Sequence, residues 1–295
     1  MQLRVVLALC ATLTFWASAF VGIRAALPDF DPGHLALLRF LFASAAMLVY
    51  AFIAKIRLPR LRDLPIILLH GFLGYTVYHV ALNYGETTVS AGSASFIISS
   101  IPVFSTLFAV VLLGERIVKR TLVGIGISMA GIALIAFGEG GGMSFDFGAL
   151  LILLAAVSES LYIVLQKPYL ERYTPFEYVT YTLIAGTIFM GRFLPGLPEA
   201  VAGASMESIL AVAYLGVCPG AVAYAFWSYA LSKGNVSKIV VTQYSLPLLT
   251  IGIGLIWLGE FPAPLALAGG LVSLAGVVLI TVPKEFLRRW TRREA

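Results

Sequence analysis

The chain has 295 residues, of which 60% are hydrophobic and only 12% are charged. Soluble domains contain about 25% charged residues, so this composition excludes a soluble protein. The formal net charge is +5, but the basic residues lie in short loops and at the C-terminal end, which argues against nucleic acid as a partner. Cys10 and Cys218 lie inside apolar runs without disulfide or zinc spacing, so no metal site is predicted.

Apolar runs of helix length follow one another along the chain. Each approaches the ~20 residues that a helix needs to cross a bilayer, whereas buried strands are about 4–8 residues long. We therefore predict an all-α polytopic membrane protein. Its ten transmembrane helices lie at about 4–27, 33–54, 64–84, 90–113, 119–137, 147–169, 176–193, 207–231, 236–258 and 263–283.

The first span also has features of a signal peptide. Arg4, an apolar stretch and Ala17-Ser18-Ala19 fit the charged start and the cleavage site of such a peptide. However, Trp16 and Phe20 flank that site, and the first half of the chain needs this span to match the second half. We therefore expect the segment to be retained as a transmembrane helix.

An internal repeat divides the chain into two halves. Residues 114–136 and 259–281 are identical at nine of 23 aligned positions, at an offset of 145. The matches include the Gly-Glu pairs at 114–115 and 259–260, and Pro102 matches Pro247 at the same offset. Each half therefore contains five predicted spans.

The basic loops predict how the halves lie in the membrane. Most lysine and arginine residues fall on one side when both termini are placed in the cytoplasm, while acidic residues dominate the other loops. Because five is an odd number, the second half must enter the membrane with the opposite orientation. Inverted repeats of this kind are typical of secondary transporters.

These features resemble the EamA family of the drug/metabolite transporter superfamily. The resemblance rests on the five-plus-five arrangement, on Trp16-Ala17-Ser18-Ala19-Phe20, on Arg39-Phe40 and on the paired Gly-Glu motifs. It implies a first EamA repeat over 1–138, and a second, inverted repeat with a basic cytoplasmic tail over 139–295. It also implies a bacterial inner-membrane carrier of small metabolites. Within the family, the chain looks like the YddG-type exporters of aromatic amino acids.

Polar residues inside the predicted spans are the candidates for a transport pathway, since they are costly in hydrocarbon. In the third span, two glycines, Tyr75, Tyr78, His79 and Asn83 recur at spacings of three and four, which predicts one ligand-facing stripe. The alternative is tight helix packing through the glycines. In the fourth and ninth spans, serines and Gln243 accompany the matching prolines, which we expect to interrupt helices that line a cavity.

Two charged residues are also predicted within spans. Glu159 lies about 18 Å along the sixth span and is a candidate for proton coupling, for binding a substrate ammonium group, or for simple cavity polarity. For Arg39 we expect a structural role first, with a substrate carboxylate as the alternative because arginine binds carboxylates as a fork. Aromatic residues at mid-depth, Trp16, Tyr162, Tyr224 and Trp227, would suit an aromatic ligand.

The predicted sites follow from these patterns. The predicted substrate-binding residues are Trp16, Ser18, Tyr78, His79, Ser95, Ser99, Glu159, Tyr162, Tyr224, Trp227, Gln243 and Ser245. The predicted structural residues are Arg39, Pro102, Glu115, Pro247 and Glu260. Small residues such as Gly124, Gly131, Gly269 and Gly276 predict a packing or dimer face formed by the fifth and tenth spans.

The hypothesis is an alternating-access exporter of aromatic and other neutral amino acids, with the lipid bilayer as its environment and protons as a candidate coupling ion. Other small metabolites remain as alternatives: threonine or homoserine, cysteine derivatives and purines. A channel does not require inverted halves. An enzyme would need an assembled set of catalytic groups or metal ligands, which the sequence does not contain. The absence of a Walker motif excludes bound ATP as the driving force, and no cofactor is predicted. The oligomeric state is left open.

Overall fold

A computed structural model describes residues 3–113, 119–139, 146–233 and 241–281. All regular structure in these residues is helical. The α-helices are α1 Leu3–Ala26, α2 Pro32–Ala54, α3 Leu64–Gly71, α4 Tyr78–Gly85, α5 Ala91–Ile98, α6 Ile101–Leu113, α7 Lys119–Glu139, α8 Phe147–Gln166, α9 Pro175–Met190, α10 Leu197–Gly203, α11 Met206–Leu215, α12 Ala223–Lys233, α13 Leu246–Leu258 and α14 Pro264–Thr281.

Five helical stretches in the described part of the chain are long and apolar enough to cross a membrane. They are Leu3–Ala26, Pro32–Ala54, Leu61–Gly85, Phe147–Gln166 and Met206–Trp227. Shorter apolar helices include Leu246–Leu258 and Pro264–Leu279. The prediction of an all-α polytopic membrane protein is therefore confirmed, while the count of ten spans and the inversion of the second half stay predictions.

Side-chain caps begin several of the helices. The Asp31 carboxylate accepts a hydrogen bond from the Gly33 amide at 2.8 Å, directly before α2. Thr174 and Glu177 form a reciprocal capping box at the start of α9. A cap of this kind satisfies backbone amides that the first helical turn leaves without partners.

Two helical stretches contain π-helical turns at matching places in the sequence. Phe72–Val77 joins α3 to α4, and Gly216–Val222 joins α11 to α12. The first segment, moved by the repeat offset of 145, falls on residues 217–222. A π turn contains more residues than an α turn, so it changes the face on which the following side chains lie.

Helices α7 and α14 pack closely through small residues. Added Cβ atoms at Gly131 and Gly276 would collide with the partner helix backbone, at Gly269 and Ser273 in the first case and at Gly124 and Ser128 in the second. The helices run antiparallel, because Arg120 near the start of α7 donates to the carbonyl of Leu279 near the end of α14. The predicted packing of these glycines is therefore confirmed, and it occurs within one chain.

The helices are interrupted at the matching prolines, as predicted, and each proline lies in the first turn of the helix that follows the break. Pro102 is the second residue of α6, which begins after a turn that follows α5. Pro247 lies in the first turn of α13, after the 3-10 segment Val241–Ser245. Proline is favoured there because its missing N–H has no intrahelical acceptor in any case. The chain is therefore discontinuous at corresponding points of both halves.

Candidate functional site

Side chains from α1, α2, α4, α8 and α12 line a cavity together with residues at the two helix breaks, between α5 and α6 and before α13. It contains about 780 Å³ of empty space, part of it open to solvent. Seven of the predicted substrate-binding residues line this cavity: Trp16, Tyr78, His79, Ser99, Glu159, Tyr224 and Gln243. Arg39, predicted first as a structural residue, lines the same cavity.

Five predicted residues lie outside the lining. The Ser18 hydroxyl is 2.6 Å from the Tyr214 hydroxyl, and the Ser95 hydroxyl donates to the carbonyl of Gly92 at 2.6 Å. Tyr162 is buried among other aromatic side chains, Trp227 packs behind Trp16, and Ser245 donates to the carbonyl of Thr242 at 2.8 Å. Glu115 and the side chain of Pro102 lie outside the described residues.

Much of the cavity wall is apolar and was not predicted. On α1, Trp16, Ala19, Phe20 and Ile23 line it together. Their spacing of three, four and seven residues places them on one helix face, so Trp16 alone could have identified the other three. Ile98 and Ile101 line it on either side of the turn between α5 and α6.

One side of the cavity is an aromatic wall. The Trp16 ring lies 5.4 Å from the Tyr224 ring in an edge-to-face arrangement and 5.1 Å from the Trp227 ring, measured between centroids. Such pairs contribute about 0.5–1.5 kcal/mol beyond their buried area. Trp227 therefore supports Trp16 from behind, while Trp16 and Tyr224 present their surfaces to the cavity.

The third span divides at its π-helical segment. Before it, Gly71 packs on α9, and within it Gly74 packs on the ring of Tyr162. After it, Tyr78 and His79 line the cavity. Asn83 instead donates its amide to the carbonyl of Pro32 at 3.1 Å. The predicted single stripe is therefore wrong: one part packs helices together and only the other part reaches the cavity.

Three polar groups on the cavity wall lack hydrogen-bond partners among the described residues. They are both ring nitrogens of His79, Nε and Nη1 of Arg39, and Oε2 of Glu159. The exposed fractions of these residues are only 3%, 2% and 8%. Since buried polar groups are nearly always paired, an unpaired set on one cavity indicates that a ligand or water satisfies it.

A second polar cluster joins the two halves at one end of the helices. Arg24, near the end of α1, forms an ion pair with Glu260 at 2.9 Å and donates to the carbonyl of Glu86 at 2.7 Å. The Glu86 side chain is fully buried, and both of its oxygens lack partners among the described residues. Burial raises the pKa of Glu86 well above its usual range, while the Arg24 guanidinium opposes this shift. Glu260 was predicted from the sequence as a structural residue, whereas Arg24 and Glu86 were not.

An ion pair also forms at the opposite ends of the helices. Asp63, directly before α3, lies 3.2 Å from Arg172 and accepts a hydrogen bond from the Tyr173 hydroxyl at 2.7 Å. This contact joins the third span to the segment between α8 and α9. It lies apart from the cavity lining and has a structural role.

Comparison with known proteins identifies the family to which this chain is similar. The model of the EamA-like transporter family matches residues 3–137 and 146–282. The chain is 44% identical over 262 residues to the "Uncharacterized transporter YdfC" of Bacillus subtilis, with 89% of this chain and 86% of that protein covered. It is 39% identical over 292 residues to a "Probable terminal-alkyne amino-acid exporter" of Streptantibioticus cattleyicolor, with 99% and 97% covered.

More distant similarities agree. The "Uncharacterized inner membrane transporter YedA" of Escherichia coli is 29% identical over 282 residues, with 94% of this chain and 90% of that protein covered. A solved crystal structure shares the fold with a TM-score of 0.65 at 21% identity, covering 94% of this chain and 95% of that one. Since the family model spans most of the chain and the relatives are named as transporters rather than enzymes, the protein belongs to the EamA family of the drug/metabolite transporter superfamily and is a multi-pass membrane transporter.

Proposed function

We propose that this protein exports aromatic and other neutral amino acids across the bacterial inner membrane by alternating access. One observation carries the proposal: a cavity combines an aromatic wall with buried polar groups that have no hydrogen-bond partner in the described part of the chain. An aromatic wall suits an apolar side chain through offset or edge-to-face contacts. The relative from Streptantibioticus cattleyicolor, named as an amino-acid exporter, supports the same substrate class.

The proposed architecture is two inverted repeats of five spans, over 1–138 and 139–295. The family model matches the chain twice, once in each proposed repeat. Helices α7 and α14, which correspond at the 145-residue offset, run antiparallel, and corresponding helices of inverted repeats would do so if they met at the axis between the repeats. Their contacts are also reciprocal, as contacts across a twofold axis are.

In the proposed topology both termini lie in the cytoplasm. The support is the distribution of lysine and arginine in the short loops. The ion pair between Arg24 and Glu260 then lies on the periplasmic side, where it would hold the two repeats together when that side is closed. Opening toward the periplasm would require this pair to separate.

The breaks before α6 and α13 would give the cavity its mobility. Ser99 and Gln243, both at the cavity, lie in or beside these breaks. A break in the helical hydrogen-bond ladder lets the flanking segments rotate with small backbone changes. In secondary transporters, discontinuous helices commonly form the substrate site between repeats. We therefore assign these segments to the closing and opening of the site.

The test is counterflow of labelled phenylalanine into liposomes that contain the purified protein and an excess of unlabelled amino acid. We expect accumulation that unlabelled tyrosine and tryptophan inhibit and aspartate does not. Tyr78→Ala should abolish it at equal protein content, whereas Tyr50→Ala, on a half-exposed residue outside the cavity, serves as the matched control. Counterflow of threonine, a cysteine derivative or a purine, with none of phenylalanine, would replace the proposed substrate class.

A further inference from the structure

Arg39 is a buried cation that forms no ion pair with the described residues. It lies on α2 with 2% of its surface exposed, and its Nε and Nη1 atoms have no hydrogen-bond partner among the described residues. Among the described residues, the ion pairs are Arg24 with Glu260 and Arg172 with Asp63. Arginine stays protonated in proteins, so this charge cannot be removed by loss of a proton.

Glu159 supplies an acid on the same cavity. It lies on α8 with 8% of its surface exposed, and its Oε2 atom also lacks a partner among the described residues. Glu159 and Arg39 line one cavity but form no ion pair, since no guanidinium nitrogen of Arg39 lies within 4.0 Å of a carboxylate oxygen of Glu159. The Glu159 carboxyl group and the Arg39 guanidinium group therefore remain separate at the cavity wall.

Isolated charges at this depth are costly. Removing one partner of a buried ion pair strongly destabilises a protein, because the other charge is left uncompensated. Charged residues inside membrane spans accordingly mark substrate or ion pathways. Glu86, the other buried acid near Arg39, interacts with it electrostatically but forms neither an ion pair nor a hydrogen bond with it. A ligand with both charges would satisfy Arg39 and Glu159 together.

We propose that Arg39 binds the carboxylate and Glu159 binds the ammonium group of an α-amino acid. This assignment rests on the proposed function and specifies its substrate class as zwitterions with free α-groups. The planar guanidinium matches a carboxylate with two parallel hydrogen bonds. Trp16 and Tyr224, on the same cavity, contact the side chain of the ligand. The two charges thus select the amino-acid backbone, and the aromatic wall selects the side chain.

The test uses three ligands that share one phenyl ring. Binding of phenylalanine, of phenethylamine, which lacks the carboxylate, and of 3-phenylpropionate, which lacks the ammonium group, is measured on the purified full-length protein by isothermal titration calorimetry. Since a hydrogen bond to a charged group contributes about 1.5–3 kcal/mol, each analogue should bind about 10- to 100-fold more weakly than phenylalanine. This comparison needs no variant and therefore does not depend on whether a variant folds.

Variants then assign each charge to one group of the ligand. Arg39→Gln should remove the preference for phenylalanine over phenethylamine and keep the preference over 3-phenylpropionate, and Glu159→Gln should do the reverse. Arg39→Lys keeps the charge without the fork and should retain part of the preference. Arg192→Gln and Glu199→Gln, on exposed residues outside the cavity, are the matched controls.

The outcomes separate the two proposals. If the wild-type protein binds no aromatic amino acid, the proposed function fails and this assignment fails with it. If phenylalanine binds but both analogues bind equally well, the proposed aromatic site stands and the assignment of Arg39 and Glu159 is overturned. The same conclusion follows if folded Arg39→Gln and Glu159→Gln variants, with wild-type elution in size-exclusion chromatography, retain both preferences unchanged.

Discussion

The hydroxyl oxygens of Ser128 and Ser273 lie 3.1 Å apart, and the two residues are separated by 145 positions, the offset of the internal repeat. Each serine is thus the repeat counterpart of the other. On either side of them the contacts are reciprocal: Gly131 packs against Gly269, and Gly276 packs against Gly124. A pair of equivalent residues in mutual contact is what a twofold axis between the repeats would produce.

This interface makes a prediction about packing. A Cβ at Gly131 would collide with the backbone of α14, whereas Gly126, on the same helix, has no neighbouring atoms within 4 Å. We expect Gly131→Ala to lower the free energy of unfolding by about 1–3 kcal/mol, the range for overpacked sites. Gly126→Ala should leave it unchanged or raise it by up to about 1 kcal/mol, because alanine favours the helix. Reversible unfolding in mixed micelles measures both, and equal effects would contradict the close approach.

The ion pair between Arg24 and Glu260 should be energetically coupled. Both side chains are partly buried, so solvent screens the pair less than at an open surface. We expect Arg24→Gln and Glu260→Gln each to destabilise the protein, and the double variant to lose less than the sum of the two. The coupling for residues in contact is about 0.5–3 kcal/mol. Strict additivity in the double-mutant cycle would show that the contact contributes nothing.

Glu86 predicts a dependence of stability on pH. Burial raises its pKa in the folded protein, Arg24 and Arg39 oppose the shift, and Glu260 adds to it. Folding therefore favours the protonated acid. This contribution to stability is fully present below the usual pKa of 4.5 and is lost as the pH rises through the raised pKa.

The measurement is the thermal unfolding midpoint as a function of pH. Glu86→Gln should remain more stable than wild type toward neutral pH, because an amide has no charge to lose, and the difference should vanish in acid. Glu199→Gln, on an exposed residue, should follow the wild-type curve. Parallel curves for wild type and Glu86→Gln would rule out this role of Glu86.

The aromatic wall should act on the side chain of the substrate and not on its charged groups. Trp16→Ala removes a ring that lines the cavity and contacts Tyr224. We expect it to weaken phenylalanine binding by about 3- to 10-fold, consistent with about 0.5–1.5 kcal/mol for an aromatic pair. Trp257→Ala, on an exposed residue of α13, provides the control. Equal weakening of alanine and phenylalanine by Trp16→Ala would contradict a side-chain role.

The class, the repeat and the family of this protein can be predicted from its amino-acid sequence. Long apolar runs predict membrane helices because the bilayer sets the length of a span. Identities at a constant offset of 145 reveal the repeat without knowledge of any contact. Trp16 and Arg39-Phe40 carried the family resemblance, and the family match confirmed it.

Which polar residues face the cavity depends on how the helices pack, and the sequence pattern did not predict it. Ser99 reaches it and Ser95 does not, although four residues separate them and both lie on one predicted face. Helix α5 ends at Ile98, and Ser99 lies in the turn that follows it. In the third span, Gly71 packs on α9 and Gly74 packs on Tyr162, whereas Tyr78 and His79, which follow the π-helical segment, line the cavity.

The role of Arg39 also required the folded chain. A membrane helix is apolar toward its neighbours and toward lipid, so its sequence pattern does not reveal which face meets the protein interior. Local spacing indicates which residues share a face, but only the packing of α2 against other helices places Arg39 on the same cavity as Glu159. The physical reason is that a helical repeat defines relative directions, whereas the neighbouring helices define where those directions lead.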